Sequence, residues 1–375
     1  MQDDRRSNSL SLLKAAGFIA GHAALSALLT PRKREAAPDA SVGGHTSRDE
    51  PFAAQRRRVT EHGRGRAADR PWKIPWRGWK DILRRTYKQI QDDRLLAISA
   101  GVVFFALLAL FPAVTAIVSM YGLFAQSATI EEHIVIVSAF APEQAVAIIR
   151  EQIARLVAKG DVQLSLGFII GVGIAIWSAN AGVKAIIDAL NVVYEEPEKR
   201  GFFKLNLISL TFTVGAVATV LLAIGAVVAV PLLLDRVGFG AGAAQLLEFG
   251  RWPGLIVALL LGLALLYRYG PSRTKAKWRW LSVGSVAATA LWIAGSALFS
   301  YYIKNYANYD ATYGSLGTGI GLMMWMWMST IVILFGAELN AEIEHQTAVD
   351  STRGAAKPLG GRGATMADTV GEAQD

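Results

Sequence analysis

Residues 311–337 read ATYGSLGTGIGLMMWMWMSTIVILFGA and contain no charged side chain between Asp310 and Glu338. About 20 apolar helical residues cross a hydrocarbon core of roughly 30 Å, so this run is long enough to span a membrane. The fourth of the uncharged runs is the weakest, because only 16 residues separate Arg251 from Arg268. The pattern predicts an all-α, polytopic membrane protein with six transmembrane helices. The other five runs are residues 95–130, 162–183, 205–234, 252–267 and 280–303.

The composition supports a membrane protein and argues against several kinds of site. Of the 375 residues, 53% are hydrophobic and 18% are charged, whereas a soluble domain has about 25% charged residues. The chain has no cysteine, and its five histidines are far apart in the sequence, so the usual clusters of metal ligands are missing. The sequence contains no P-loop motif for nucleotide phosphates. We therefore expect no metal, no cofactor, no catalytic residue and no enzymatic activity.

Lysine and arginine are distributed unevenly among the segments that connect the uncharged runs. Segments 70–94, 188–204 and 268–279 carry eight, three and five of them, whereas the alternate loops 131–161, 235–251 and 304–310 carry three, two and one. Basic residues collect on the cytoplasmic side of a membrane. Both termini are therefore predicted to be cytoplasmic.

The two ends of the chain are predicted to be disordered cytoplasmic tails around a transmembrane domain at residues 95–344. Residues 1–70 are rich in Arg, Ala, Gly, Asp and Ser, and residues 345–375 are rich in Gly and Ala. Such polar or small residues without apolar periodicity are typical of disorder. Residues 10–29 are an apolar exception, for which a helix on the membrane surface is the favoured interpretation.

Residues 71–94 are predicted to form an amphipathic interfacial helix ahead of the first span. Its Trp and Tyr would lie at the membrane boundary, and its Lys and Arg would meet anionic headgroups. The alternative is a cytosolic helix packed on the bundle. A second amphipathic helix is predicted in an outer loop, from Pro142 to Leu156. The apolar residues of the first helix are Trp79, Ile82, Leu83, Tyr87 and Ile90.

The second span carries polar residues in an unusual pattern. Trp177, Asn180, Lys184, Asp188 and Asn191 follow one another at intervals of three or four, which places them in one stripe along a helix. Polar side chains inside a membrane normally face the protein interior or a wet cavity. One interpretation is a polar lining for a substrate path. The other is a seam of hydrogen bonds between helices, with an ion pair at the headgroup level.

Two further candidate sites lie at the two ends of the sixth span. At its end, Glu338 and Glu342 share a helix face near Asn340, and acids at a helix C-terminus oppose the helix dipole. Arg268, Lys184 and Arg279 are candidate partners for these acids, so the group is either a structural ion-pair cluster or a gating or proton-coupling site. At its beginning, several glycines indicate close helix packing or an interrupted helix whose N–H groups face an anion. These glycines include Gly314, Gly317 and Gly319.

Several motifs together resemble those of a known membrane-protein family. They are Phe104-Phe105, Leu110-Phe111-Pro112, Trp177-Ser178-Ala179, Asn191 through Tyr194 to Arg200, Leu266-Tyr267-Arg268 with Pro271, Leu291-Trp292, Tyr309 with Tyr313-Gly314-Ser315-Leu316-Gly317, and Gly336-Ala337-Glu338-Leu339-Asn340-Ala341-Glu342. Over residues 75–345 the chain resembles the YihY/BrkB family, named in part for the virulence factor BrkB. The resemblance implies a bacterial inner-membrane protein associated with movement of envelope lipid or lipopolysaccharide.

That family has also carried the label ribonuclease BN, and the residues argue against this activity. A metal-dependent phosphodiesterase needs clustered His and Asp ligands, but no histidine here lies within an uncharged run or beside another histidine. Binding to lipid headgroups or membrane orientation explains the basic tail, so we expect no specific nucleic-acid partner.

The leading hypothesis is a transporter or flippase-like factor for an amphiphilic, anionic envelope lipid. Its expected partners are membrane lipids and envelope-transport proteins. Two alternatives stay open: a structural or scaffolding protein of the cell envelope, and a secondary transporter of a small solute. In the scaffolding alternative, replacing the polar residues of the spans destabilises the bundle. In the solute alternative, transport depends on a proton or sodium gradient.

Overall fold

A computed structural model describes residues 55–122, 146, 150, 166–237, 241–305 and 317–374. The regular secondary structure of the described residues is helical, apart from an isolated antiparallel bridge between Ala276 and Thr352. The helices are α1 (Trp76–Asp92), α2 (Leu95–Gly122), α3 (Leu166–Val193), α4 (Phe202–Val237), α5 (Ala241–Tyr269), α6 (Trp278–Asn305), α7 (Gly317–His345) and α8 (Thr365–Asp368).

Helices α2 to α7 each overlap one of the six uncharged runs, in the same order. Within the described ranges, four of them contain segments long and apolar enough to cross a membrane. A fifth span results if α1 and α2, bent by 59° at their junction, are taken together. The apolar part of α5, Pro253–Tyr269, is shorter, in agreement with the weakness of the fourth run. The all-α membrane class is thus confirmed. The four segments are Gly173–Val193, Phe202–Ala223, Trp278–Asn305 and Gly319–His345.

Helix α1 packs against α7 at the end of the bundle that contains Glu338, Glu342 and Glu344 of α7, which we call the polar end. Its buried residues include Gly78, Asp81 and Arg85, whereas Trp76 and Tyr87 are exposed on its opposite face. Gly78 allows the segment before α1 to lie close against this helix, because a Cβ there would clash with the Arg64 carbonyl. One face of this helix therefore packs on the bundle, and its location at a membrane surface stays a prediction.

The core of the polar end is built from aromatic and small residues. Tyr194 and Tyr267 are fully buried in one apolar cluster with Leu334 and Ala337. The Tyr267 hydroxyl donates a 2.8 Å hydrogen bond to the Ile333 carbonyl and so joins α5 to α7. Such buried bonds hold helices together where the surroundings offer little water.

Helices α6 and α7 approach closely at a pair of glycines. A Cβ on Gly284 would collide with the Gly336 carbonyl, and a Cβ on Gly336 would lie 2.6 Å from the Tyr267 hydroxyl. Asn340 fixes the same contact, because its Oδ1 accepts from the Gly284 N–H at 2.8 Å and its Nδ2 donates to the Leu281 carbonyl at 3.2 Å. Gly336, near the end of the sixth span, is thus one of the small residues that allow close helix packing.

The segment after α7 differs from the prediction of a disordered tail over residues 345–375. Residues 346–374, which we call the C-terminal segment, lie against the polar end and are held by arginines from before the first span. Arg66 donates to the Gly371 carbonyl at 2.7 Å, and Arg85 donates to the Glu372 carbonyl at 2.8 Å. Residues 55–70 of the predicted N-terminal tail are ordered by the same contacts. The order comes from partners distant in sequence, which composition does not reveal. Residues 1–54 lie outside the described ranges.

Candidate functional site

The polar stripe on α3 has a buried edge and an exposed edge. At about 100° per residue, Asn180 and Asn191 lie about 40–60° round the helix from Trp177, on the same side as each other. Both asparagines are buried, whereas Trp177 is 46% exposed and Asp188 is exposed. Lys184 lies between the two edges and is half-buried. The stripe therefore runs along the boundary between the bundle interior and its outer surface.

The two buried asparagines bond to neighbouring segments. The Thr213 hydroxyl of α4 donates to Asn180 Oδ1 at 3.1 Å, and Asn180 Nδ2 has no partner among the described residues. Asn191 Oδ1 accepts from the Ser272 N–H at 2.8 Å, and its Nδ2 donates to Glu198 at 3.0 Å. This edge matches the hydrogen-bonded seam between helices.

Lys184 is different, because it is not paired with a carboxylate in the described part of the chain. Its Nζ lies 5.4 Å from the centre of the Trp177 ring, a cation–π contact. Asp188 lies one turn away but forms no ion pair with it within residues 166–237. Lys184 and Asp188, at positions i and i+4, thus do not form the ion pair that the seam interpretation includes. A half-buried cation with an aromatic neighbour remains at the outer edge of the stripe.

At the polar end, two of the three acids that follow Ala337 on α7 have arginine partners. Arg85 of α1 bonds to Glu342 at 2.5 Å, and Arg273 bonds to Glu344 at 2.6 Å. All four side chains are almost fully buried. Neither arginine was expected as a partner from the sequence. The signal for Arg85 was its position on the same helix face as Gly78, a residue that favours close approach.

Arg268 and Asn340, the other members of the candidate gating or ion-pair group, contact neighbouring segments. The Arg268 guanidinium donates to the Ala276 carbonyl at 2.7 Å and lies 4.4 Å from the centre of the Trp278 ring. It forms no ion pair with the acids of α7 in the described residues. Asn340 joins α6 to α7 as described above. Both residues fix the geometry of the polar end.

Glu338 is the remaining acid of this group. Its side chain is completely buried, and neither carboxylate oxygen has a hydrogen-bond partner among the described residues. Glu342, Asp93 and Glu195 are its electrostatic neighbours, and all of them carry the same sign of charge. Removing a carboxylate from water without a partner is costly. The structure thus contains a buried acid surrounded by other acids at the polar end.

Asp93, between α1 and α2, is the half-buried member of this group. Burial raises the pKa of its carboxyl from 3.8 to about 6, and the nearby charge of Glu195 adds to the effect. Its Oδ2 atom is buried and has no partner in the described chain. Glu195 itself is exposed. The acids therefore extend from the surface of the polar end to the interior.

The glycines at the start of the sixth span are only partly described. Gly314 lies outside the described residues, and α7 begins at Gly317, which is buried. Gly319 is exposed, and a Cβ there would meet nothing within 4 Å. Close helix packing thus does not explain Gly319. No group of three or more His, Cys, Asp or Glu in the described residues is arranged to hold a metal ion.

Comparison with known proteins identifies several relatives, some of which are named as membrane proteins. A putative ribonuclease-like protein, YfkH of Bacillus subtilis, is 33% identical over 65% of this chain and 88% of its own length. A UPF0761 membrane protein of Photobacterium profundum is 24% identical over 68% of this chain and 78% of its own. Another, from Idiomarina loihiensis, is 29% identical, but the match spans only 61% of that relative. No solved structure matches the chain.

The sequence profile described as Virulence factor BrkB matches residues 86–359. This range begins within α1 and ends within the C-terminal segment, so it includes the stripe on α3 and the acids of the polar end. It confirms the resemblance seen in the motifs, including the one from Gly336 to Glu342. The chain therefore belongs to the virulence factor BrkB family of membrane proteins.

Proposed function

We propose that the protein moves an anionic, lipid-like amphiphile across a bacterial inner membrane, with both of its termini on the cytoplasmic side. The observation that carries this proposal is Lys184, a half-buried cation inside the second span that contacts Trp177 and no carboxylate among the described residues. The distribution of Lys and Arg supports the orientation. The polar end with α1 and the C-terminal segment is then the cytoplasmic end.

The depth of Lys184 supports a role in binding an anion. It precedes the end of α3 at Val193 by nine residues, which is about 13 Å at 1.5 Å per residue. A lysine at the centre of a membrane-spanning helix costs about 3 kcal/mol, and one that directly follows the uncharged run 162–183 costs less; an uncompensated lysine within a spanning helix is typical of a functional site. An anionic headgroup would compensate this charge while it passes along the outer edge of the stripe.

The outer edge of the stripe also suits an amphiphile better than a small soluble solute. Trp177 is 46% exposed on the outside of the bundle, where acyl chains would remain in the hydrocarbon. The buried edge, with Asn180 bonded to Thr213, closes the path toward the bundle interior. A headgroup moving at this boundary would meet Lys184 while its chains stay in lipid.

A structural or scaffolding role is the second candidate function. The bonds of Asn180 to Thr213, of Asn191 to Ser272 and of Asn340 to Gly284 favour it, because each joins neighbouring segments without involving a ligand. This role explains the buried asparagines. It gives no account of a lysine placed at the lipid-facing edge.

The test is transbilayer movement of a fluorescent phosphatidylglycerol in proteoliposomes. We expect the rate in Lys184→Ala to fall by about tenfold, the factor that 1.4 kcal/mol of lost interaction gives. Lys184→Arg retains the charge and should retain most of the rate. Lys204→Ala is the matched control, because Lys204 is an exposed lysine near the start of α4.

The outcomes separate the two candidate functions. A folded wild-type protein that moves no probe would favour the scaffolding role. Movement that is equally fast in wild type and Lys184→Ala would refute the path along the stripe. Slower movement in Lys204→Ala as well would show a general effect of surface charge.

A further inference from the structure

Glu338 has the environment of a group that exchanges a ligand. Its carboxyl is 0% exposed, and both oxygens are unpartnered in the described chain. By contrast, the acids that follow it on α7 have arginine partners. The charged and titratable groups that face it are Glu342, Asp93, Glu195, Tyr194 and, through its ion pair with Glu342, Arg85.

The chemistry of this environment favours a proton as the ligand. A buried carboxyl without a cationic partner is far less costly when it is protonated and neutral. Arg85 is already bonded to Glu342, the Glu372 carbonyl and Gln346, so its described contacts leave Glu338 unpaired. No described group of three His, Cys, Asp or Glu is arranged for a metal ion.

The acids near Glu338 also provide a connection to the surface of the polar end. Glu195 is exposed, Asp93 is half-buried, and both lie close enough to Glu338 to act on its charge. Asp93 has a pKa of about 6, so its carboxyl gains and loses a proton near neutral pH. Carboxyl groups that change charge in this range are typical members of proton relays.

We propose that Glu338 binds and releases a proton that reaches it from the polar end through Asp93 and Glu195, and that this proton is coupled to amphiphile movement. The coupling rests on the proposed function, whereas proton binding by Glu338 stands independently of it. In each cycle Glu338 gains one proton and becomes neutral, then loses it and becomes an anion. No other bond forms or breaks.

The first experiment measures proton binding directly, with the purified full-length protein at neutral pH. We expect the infrared spectrum to contain a carbonyl band of a protonated carboxyl group that is lost in Glu338→Gln. Asp92→Asn is the matched control and should keep the band, because Asp92 is an exposed acid adjacent to Asp93. Glu338→Asp should shift the band, which provides a second variant if Glu338→Gln does not fold. A band unchanged by the Glu338 variants would overturn the proposal.

The second experiment tests the coupling with a fluorescent phosphatidylglycerol in proteoliposomes under an imposed gradient of one pH unit. Coupling of one proton to each transfer shifts the ratio of probe between leaflets by up to about tenfold. We expect this shift in wild type and in Asp92→Asn, and no response to the gradient in Glu338→Gln. Probe movement in wild type that does not respond to the pH gradient would refute the coupling. The proposed function would still hold in that case. A Glu338 band without any movement would refute the proposed function while proton binding holds.

Discussion

Glu338 and Glu342 lie one turn apart on the same face of α7, and both are buried, but only Glu342 has a partner among the described residues. Glu342 is bonded to Arg85 at 2.5 Å, whereas Glu338 has no hydrogen bond among the described residues. The same contrast separates Glu342 and Glu344, which have arginine partners, from Lys184 in the second span. Each buried glutamate of α7 with a structural role is paired with an arginine from a distant segment. The uncompensated charges are therefore the places where an external ligand is expected.

The largest expected effect on stability comes from removing Arg85, the partner of Glu342. Arg85→Met leaves the buried carboxylate of Glu342 without its partner and should lower the free energy of unfolding by about 3–5 kcal/mol. Thermal unfolding in detergent measures this loss. Arg84→Ala is the control, because Arg84 is exposed and contacts only the Gln374 carbonyl in the described chain. Equal melting temperatures for Arg85→Met and wild type would show that this pair does not stabilise the polar end.

The next prediction concerns close packing, which we expect to stabilise the position of α7 in addition to the ion pairs. Gly284→Ala places a Cβ against the Gly336 carbonyl and should cost about 1–3 kcal/mol of stability, the usual cost of overpacking. Gly215→Ala in α4 is the matched control, since a Cβ there meets nothing within 4 Å and alanine favours the helix. Melting temperatures of both variants check the prediction. If Gly284→Ala were as stable as Gly215→Ala, the close contact of α6 and α7 would be excluded.

A smaller effect concerns the half-buried acid beside Glu338. The pKa of Asp93 is raised from 3.8 to about 6, so between these values the folded protein binds more protons than the unfolded chain. Its stability therefore falls as the pH rises through this window, and the penalty persists at pH 7. Asp93→Asn should remove the penalty and stabilise the protein by about 1 kcal/mol, after allowance for solvent screening.

The measurement for Asp93 is the difference in melting temperature between variant and wild type as a function of pH. This difference should increase between about pH 4 and pH 6 and stay constant above. Asp92→Asn should give no such pH-dependent difference. A constant difference across the range would show that Asp93 titrates normally.

The sequence predicted the membrane class and the helices well, because a long run without charges has few alternatives to a span. It predicted the stripe on α3 from its spacing, but not which edge is buried, because that depends on the position of α4 and Thr213. The partners of the acids on α7 were missed for a similar reason. Arg85 and Arg273 lie 257 and 71 positions away from Glu342 and Glu344 in the chain.

The C-terminal segment gives the clearest example of what composition leaves out. Its Gly and Ala content is typical of disorder, but residues 346–374 are held by hydrogen bonds from arginines about three hundred positions earlier, as between Arg66 and Gly371. Hydrogen bonds between such distant segments leave no periodic signal in the sequence. Local patterns therefore predicted the spans, and the contacts of the polar end required the structure.

The smallest expected effect on stability comes from replacing Glu338, the acid without a described partner. This test separates the roles of the two acids most directly. Glu338→Gln keeps the size of the side chain and replaces one unpartnered polar group by another, so the stability should change by no more than about 0.5 kcal/mol. Glu342→Gln, the matched change one turn away, leaves Arg85 without a carboxylate and should cost several kcal/mol. Melting temperatures of the two variants at pH 7 measure the contrast directly. Similar losses in both would mean that Glu338 is held by a cation, and the two acids would then have the same structural role.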